Sequence, residues 1–360
     1  MSTNNEGHAG FEVAIAAKGS ETVAEFTHQK TLLERLQHVL HETPSLAPLM
    51  VLVASLIGFG ILIGARFFSA YALTLILQQV MITGIVGVAQ SLVILTAGID
   101  LSVGAIMVLS TVMMGQCAFD YGLPAWLAIL CGLALGTAVG YLNGVLVALM
   151  KLPPFIVTLG TWQIALAANY LYSQNQTIGA AQIEMQAPLL QFLGNTFRLG
   201  GKSGATFTYG VVLMVALVLL FAYILRHTAW GRHVYAVGDD PDAAALAGVR
   251  VKRMLISVYL LSGLISAIAG WALIGRIGAI SPNSGQFENI NSITATVIGG
   301  ISLFGGRGSI LGMIFGALIV GVFTLGLNMY GTDPQWTYLL IGALIIIAVA
   351  VDQWIRKAAV

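Results

Sequence analysis

The feature that most constrains this chain is how far it runs without a charged side chain. From Phe67 to Phe119 the one Asp, Glu, Lys or Arg is Asp100. The runs Tyr121 to Met150, Met254 to Gly275 and Gly308 to Thr332 contain none. Such runs cannot make a water-facing surface, whereas about 20 mostly apolar residues in a helix cross the hydrocarbon of a bilayer. Composition agrees: 58% of the residues are hydrophobic and 9% are Asp, Glu, Lys or Arg, against about 25% charged in an ordinary soluble domain. Disordered, nucleic-acid-binding and disulfide-stapled secreted classes are excluded, since a net charge of +1 steers no polyanion. Cys117 and Cys131 lie in apolar runs and read as buried free thiols.

The chain is therefore expected to be an all-α polytopic membrane protein with about ten transmembrane helices. The apolar segments are 46–64, 71–94, 101–118, 124–149, 155–173, 208–225, 254–275, 291–304, 309–329 and 335–353. The eighth, Asn291 to Phe304, is short and glycine-rich and reads as either a full span or a broken, re-entrant one. Twelve of the sixteen Lys and Arg fall on the side of the N-terminus, leaving Arg66, Arg198, Lys202 and Arg276 on the other. By the positive-inside rule both termini are cytoplasmic. Residues 1–44 form a polar cytoplasmic tail rather than a cleaved signal peptide. Within it, Thr31 to His41 has helical spacing and reads as a short interfacial helix or a solvated tail. Residues 45–360 form the transmembrane domain, with the 226–253 connection as its main cytoplasmic loop.

Small residues recur at four-residue spacing. Gly132, Gly136, Gly140 and Gly144 do so in one helix, and Gly308, Gly312 and Gly316 in another, followed by Gly321 and Gly326. Such stripes let helix backbones approach closely, within a monomer or between copies. Ionisable groups are scarce in the spans, and all six histidines lie at or before His233, outside them. Asp100 sits between spans two and three, where its carboxylate suits capping of the next helix better than ion coupling. Uncharged polar side chains are more plentiful: Gln79, Thr83 and Gln90 share a helix face, and Asn143, Gln163, Asn169, Asn291, Thr294 and Asn328 lie in other spans. Amides and hydroxyls without charge suit a neutral polyol or sugar, or they bond between helices.

An energy source is missing from the chain. The nearest match to a phosphate-binding loop, Thr196 to Ser203 (TFRLGGKS), lacks the first glycine. The polar stretches 1–45, 174–207 and 226–253 are too short for a nucleotide-binding domain. The last of these holds a capped helix. Asp240 suits the N-cap, Pro241 the first turn and Asp242 its positive end, with Ala243, Ala244, Ala245, Leu246 and Ala247 as helix formers and Gly248 as the stop. It reads as a docking element for a cytoplasmic partner, or as a plain loop helix. Asp239, Asp240, Asp242 and His233 lack the spacing of a metal site, so no metal and no cofactor is expected in this chain.

Several blocks resemble the permease subunits of bacterial ATP-binding-cassette importers for monosaccharides of the ribose, xylose, galactose and fructose type. They are LTAGIDLSVGA (95–105), LNGVLVALMKLPPFIVTLGT (142–161), GRHVYAVGDDPDAAALAGVRV (231–251), YLLSGLISAIAG (259–270) and ATVIGGISLFGGRGSILG (295–312). Within that family the chain looks most like the rhizobial fructose permeases. The resemblance implies a vitamin B12-type importer architecture in the inner membrane and a transport subunit rather than an enzyme. It also implies a second permease copy, a periplasmic sugar-binding protein, and a separate ATPase with fused nucleotide-binding halves that binds the ATP. The coupling helix of that architecture falls on Asp239–Gly248, where many members have Gly-Asn in place of Asp239–Asp240. An ion-coupled secondary sugar transporter is the rival reading, and it predicts uptake by this chain alone.

Overall fold

The computed structural model describes residues 45–199 and 205–357, so the N-terminal tail, including the Thr31–His41 stretch read as an interfacial helix or a solvated tail, lies outside the described residues. Each of the ten apolar segments contains a helix. They are α1 (Leu46–Ile63), α2 (Ala70–Leu95), α3 (Val103–Phe119), α4 (Ala125–Ala148), α5 (Pro154–Ser173), α7 (Tyr209–His227), α10 (Val251–Ile277), α11 (Glu288–Ile298), α12 (Ile310–Tyr330) and α13 (Pro334–Lys357). The short helices α6 (Ala180–Gln186), α8 (Ala229–Asp239) and α9 (Pro241–Leu246) lie in the connections. Among the described residues, six helices are long and apolar enough to cross a membrane: α1 extended to Phe68, α2, α4, α7, α10 and α12. With 11 residues, α11 is about 16 Å long at 1.5 Å per residue, half of what a crossing requires. The eighth segment is thus a half-helix followed by the loop 299–309.

The expectation of an all-α chain needs one correction. Strands β1 (Thr196–Leu199) and β2 (Ala205–Thr208) pair antiparallel, with Thr196 opposite Thr208 and Leu199 opposite Ala205. Alternating Thr and Phe supply the β-branched and aromatic side chains that strands favour. Phe197 stacks on Phe207 at 5.9 Å and leans on Tyr209 at 5.5 Å. The hairpin is tied to α2 where the Thr206 N–H donates to Thr74 Oγ1 at 3.0 Å. The stretch that faintly resembled a phosphate-binding loop begins as this edge strand.

Helix starts follow capping chemistry. Ser69, Thr208, Thr228 and Ser309 precede α2, α7, α8 and α12, and each hydroxyl accepts from a backbone N–H three residues on. The core is organised around α2, which is buried without interruption from Val80 to Leu95. A helix apolar all round belongs inside a bundle. The opposite case is α1, whose exposed Ile57, Ile61 and Leu62 make a face suited to lipid.

The α4 glycines pack against α10 and α3 within the chain. A Cβ at Gly136 would lie 2.7 Å from Ala267 Cβ and 2.8 Å from the Gly263 carbonyl, and one at Gly132 would meet Met114 and the Ser110 carbonyl. At Gly140 it would strike the Tyr259 carbonyl, and at Gly144 it would lie 2.9 Å from Ile256 Cα. The second stripe holds α12 to α11: Gly312 meets the Gly299 carbonyl and Gly316 that of Ala295. Gly308 does not belong to the helical stripe, because it sits before the Ser309 cap at φ 125° against Ile301. Cys117 is buried as expected, whereas Cys131 is half-buried, and both are free.

Candidate functional site

Two regions carry the chemistry. The first is a cleft of about 720 Å³ between α2, α11, α12 and α13, within the roughly 300–1,000 Å³ usual for small-molecule sites. Gln79 and Thr83 reach it from one face of α2, Asn291 and Thr294 from α11, Thr324 and Asn328 from α12, and Thr337 from α13. Their spacings of three and four residues keep each pair on one helix face. Five of the nine uncharged polar residues singled out in the sequence thus meet here: Gln79, Thr83, Asn291, Thr294 and Asn328. Thr324 and Thr337 were not singled out in the sequence, although the Thr324–Asn328 step repeats the Gln79–Thr83 pattern.

The other four candidates lie elsewhere. Gln90 is fully buried in α2, with neither amide atom hydrogen-bonded. Gln163 is exposed on α5. Asn169 donates to the Pro282 carbonyl at 2.8 Å. Asn143 is consumed by a buried network around Asp100. Thr161 Oγ1 donates to Asn143 Oδ1 at 2.6 Å, Asn143 Nδ2 to Ser102 Oγ at 3.0 Å, and Ser102 Oγ to Asp100 Oδ1 at 2.6 Å. Asp100 also accepts from the Ser102 N–H at 2.9 Å and from Ser262 Oγ at 3.2 Å. The carboxylate does not cap α3, whose N-cap is Ser102 with no side-chain cap bond; it joins the 96–102 connection to α10 and, through Ser102 and Asn143, to α4 and α5.

The view that the apolar core is nearly bare of charge also needs correction. Glu288, the first residue of α11, is 9% exposed. Its Oε2 accepts from Thr83 Oγ1 at 2.9 Å and its Oε1 from Asn291 Nδ2 at 3.4 Å. Arg276, near the end of α10, donates to Gln79 Oε1 at 2.6 Å. In sequence Glu288 precedes a short apolar run and reads as loop. Only the half-helix carries it inward.

The second region is the 226–253 connection. Asp240 Oδ1 accepts from the N–H groups of Asp242 at 2.9 Å and Ala243 at 3.0 Å, and Pro241 occupies the first turn of α9. Gly248 ends it at φ 87°, a left-handed conformation that glycine adopts without penalty. Asp239, Asp240, Pro241, Asp242 and Ala243 are exposed, and Leu246 is 92% exposed. Ala244, in contrast, is buried against the body of the protein. Sequence did not single out α8, whose four buried residues, Gly231, Val234, Val237 and Gly238, face inward at helical spacing. Trp230 Nε1 donates to Ser257 Oγ at 3.0 Å, and Tyr235 Oη to the Gly308 carbonyl at 2.9 Å. Burial pushes the Tyr235 phenol up, which keeps it a neutral donor. Gly238 lies against the Leu95 carbonyl, so this loop rests on the end of α2.

A polytopic helical body, an uncharged polar cleft and a protruding capped helix describe a transport component. Residues 72–349 match the family described as branched-chain amino acid transport system / permease component. The chain belongs to this permease family. The permease is 68% identical over 349 residues to the fructose import permease protein of Rhizobium meliloti, covering 97% of this chain and 96% of that one. It is 34% identical over 314 residues to the ribose import permease protein of Escherichia coli K12, covering 87% and 94%. With the xylose transport system permease protein of Haemophilus influenzae the identity is 30% over 351 residues, covering 83% and 93%. No solved structure matches the permease significantly.

Proposed function

We propose that this permease is the membrane subunit of an ATP-binding-cassette importer that carries a monosaccharide, fructose first among them, across the bacterial inner membrane. The observation that carries the reading is the 68% identity, over 97% of the chain, to a fructose import permease. The cleft supports it independently: the polar side chains that line it are hydroxyls and amides, which match a neutral polyol and offer no ion a charged ligand.

In this reading the ten helix-bearing segments form a vitamin B12-type architecture in which α11 enters partway. Both termini and the 226–253 loop face the cytoplasm, supported by the twelve-to-four bias of Lys and Arg. Residues Asp239–Gly248 dock on a separate ATPase with fused nucleotide-binding halves, which binds the ATP. Leu246 is the exposed apolar contact and the Asp240 cap holds its helix. A second copy of the permease completes the pathway, and a periplasmic sugar-binding protein delivers the sugar. Closure of the ATPase halves pushes α9, and the permease alternates between outward and inward openings.

The test is labelled-fructose uptake into proteoliposomes. The permease is assayed alone under a proton or sodium gradient, then with its ATPase, ATP and binding protein. Uptake in the complete mixture alone is the expected result. Uptake by the permease alone under an ion gradient overturns the reading in favour of a secondary carrier.

A further inference from the structure

The cleft presents more than a set of polar side chains, because two charged residues fix which of those groups donate and which accept. Arg276 carries only donors, so the Gln79 amide must turn its oxygen to the guanidinium. That leaves the Gln79 NH₂ for a ligand. The Glu288 carboxylate can only accept, so Thr83 spends its one hydroxyl proton on Glu288 Oε2. Thr83 is left with free lone pairs, an acceptor. Asn291 likewise gives one N–H to Glu288 Oε1 and keeps its oxygen and second N–H. Gln79 and Thr83 are four residues apart on α2, so a residue with a free donor and one with a free acceptor stand on one face, their Cβ atoms about 5–6 Å apart. Arg276 and Glu288 themselves are absent from the cleft lining, while the three groups they orient belong to it.

We propose that Gln79, Thr83 and Asn291 form a weak recognition site for a neutral polyol within the permease, with Glu288 and Arg276 as the positioning residues that set its donor–acceptor pattern. The inference rests on the sugar-import reading above. A ring bearing hydroxyls on several carbons can accept from Gln79 and donate to Thr83 at once. A monofunctional alcohol has one hydroxyl for Gln79 and Thr83 together and none left for Asn291. The site places some sugar selectivity in the membrane subunit itself.

Saturation-transfer NMR of fructose on the permease reconstituted in nanodiscs, without binding protein, reads the site directly. The wild type gives transfer to fructose that exceeds transfer to propanol at equal concentration. Glu288→Gln lets the new amide donate to Thr83, and Arg276→Met frees the Gln79 amide to flip. Each is expected to reduce the fructose signal at least fivefold. Arg276→Lys still donates to Gln79 Oε1 and is expected to retain most of it, a rescue that loss of packing alone would not give. Thermal midpoints of all variants establish that each is folded. A wild type without fructose transfer, or folded Glu288→Gln and Arg276→Met variants with wild-type transfer, overturns the proposal. Uptake by the complete wild-type importer is measured alongside. Its absence defeats the importer reading, whereas its presence with unchanged variant signals defeats this site alone.

Discussion

Leu246 and Ala244 are two residues apart on α9, yet replacing each with Asp has different consequences. Leu246 is 92% exposed, so Leu246→Asp costs the isolated permease almost nothing. Its effect falls on the complex. Burying a leucine side chain in a partner's groove contributes about 1.5–3 kcal/mol. Since 1.4 kcal/mol is a factor of ten, loss of that contact weakens docking of the ATPase roughly ten- to a hundredfold. A carboxylate forced into an apolar groove adds a desolvation cost. Ala244 is 5% exposed and belongs to the hydrophobic core. Ala244→Asp therefore unseats α9 from the permease itself and lowers its thermal midpoint. The assay pairs the thermal midpoint of the purified permease with titration of the ATPase onto nanodisc-held permease and with sugar uptake per ATP. The expected pattern for Leu246→Asp is an unchanged midpoint, at least tenfold weaker docking, and uptake lost at ATPase concentrations that saturate the wild type. Wild-type docking and uptake in Leu246→Asp would refute the assignment of α9 as the contact.

Two further perturbations test the frame around the sites. Gly140→Ala sets a methyl on the Tyr259 carbonyl and 2.9 Å from Gly263 Cα, all backbone with nowhere to rotate; a loss of about 1–3 kcal/mol is expected as a lowered thermal midpoint. Gly160→Ala, which meets nothing within 4 Å, serves as its neutral control, and equal midpoints for the two would contradict close α4–α10 packing. Asp100→Ala strands the Ser102 N–H and the hydroxyls of Ser102 and Ser262, at about 1–3 kcal/mol for each donor left unpaired. Asp100→Asn keeps an acceptor oxygen and should lie between it and the wild type; a midpoint in Asp100→Ala equal to the wild type would remove the network from the account of stability.

The helices were legible in the sequence because bilayer-spanning runs are long, apolar and free of competing signals. All ten segments contain helices, with ends displaced by a few residues. The capped helix at 240–248 was legible for another reason: Asp-Pro-Asp and a terminal glycine act locally, and nothing tertiary opposes them. What escaped reading depends on distant partners. The hairpin pairs across five residues and is held by Thr74. The direction in which Ala244 points is set by the body beneath it. Glu288 is an ordinary loop acid in sequence, and its burial follows only from the half-helix and from Thr83, 205 positions away. The nine polar candidates divided in the same way: helical periodicity grouped residues on one helix, but no pattern in the sequence says which helix faces meet.

The contact between α4 and α10 also bears on how the permease can move. Where Gly136 and Gly140 meet Gly263, backbone touches backbone, and there are no side chains to change rotamer and let one helix slide on the other. The pair behaves as a single strut. Its α10 member begins at Val251, just past the Gly248 that ends α9. If α9 is displaced as proposed, the push meets a stiff lever about 40 Å long at 1.5 Å per residue over 27 residues, whose far end carries Arg276.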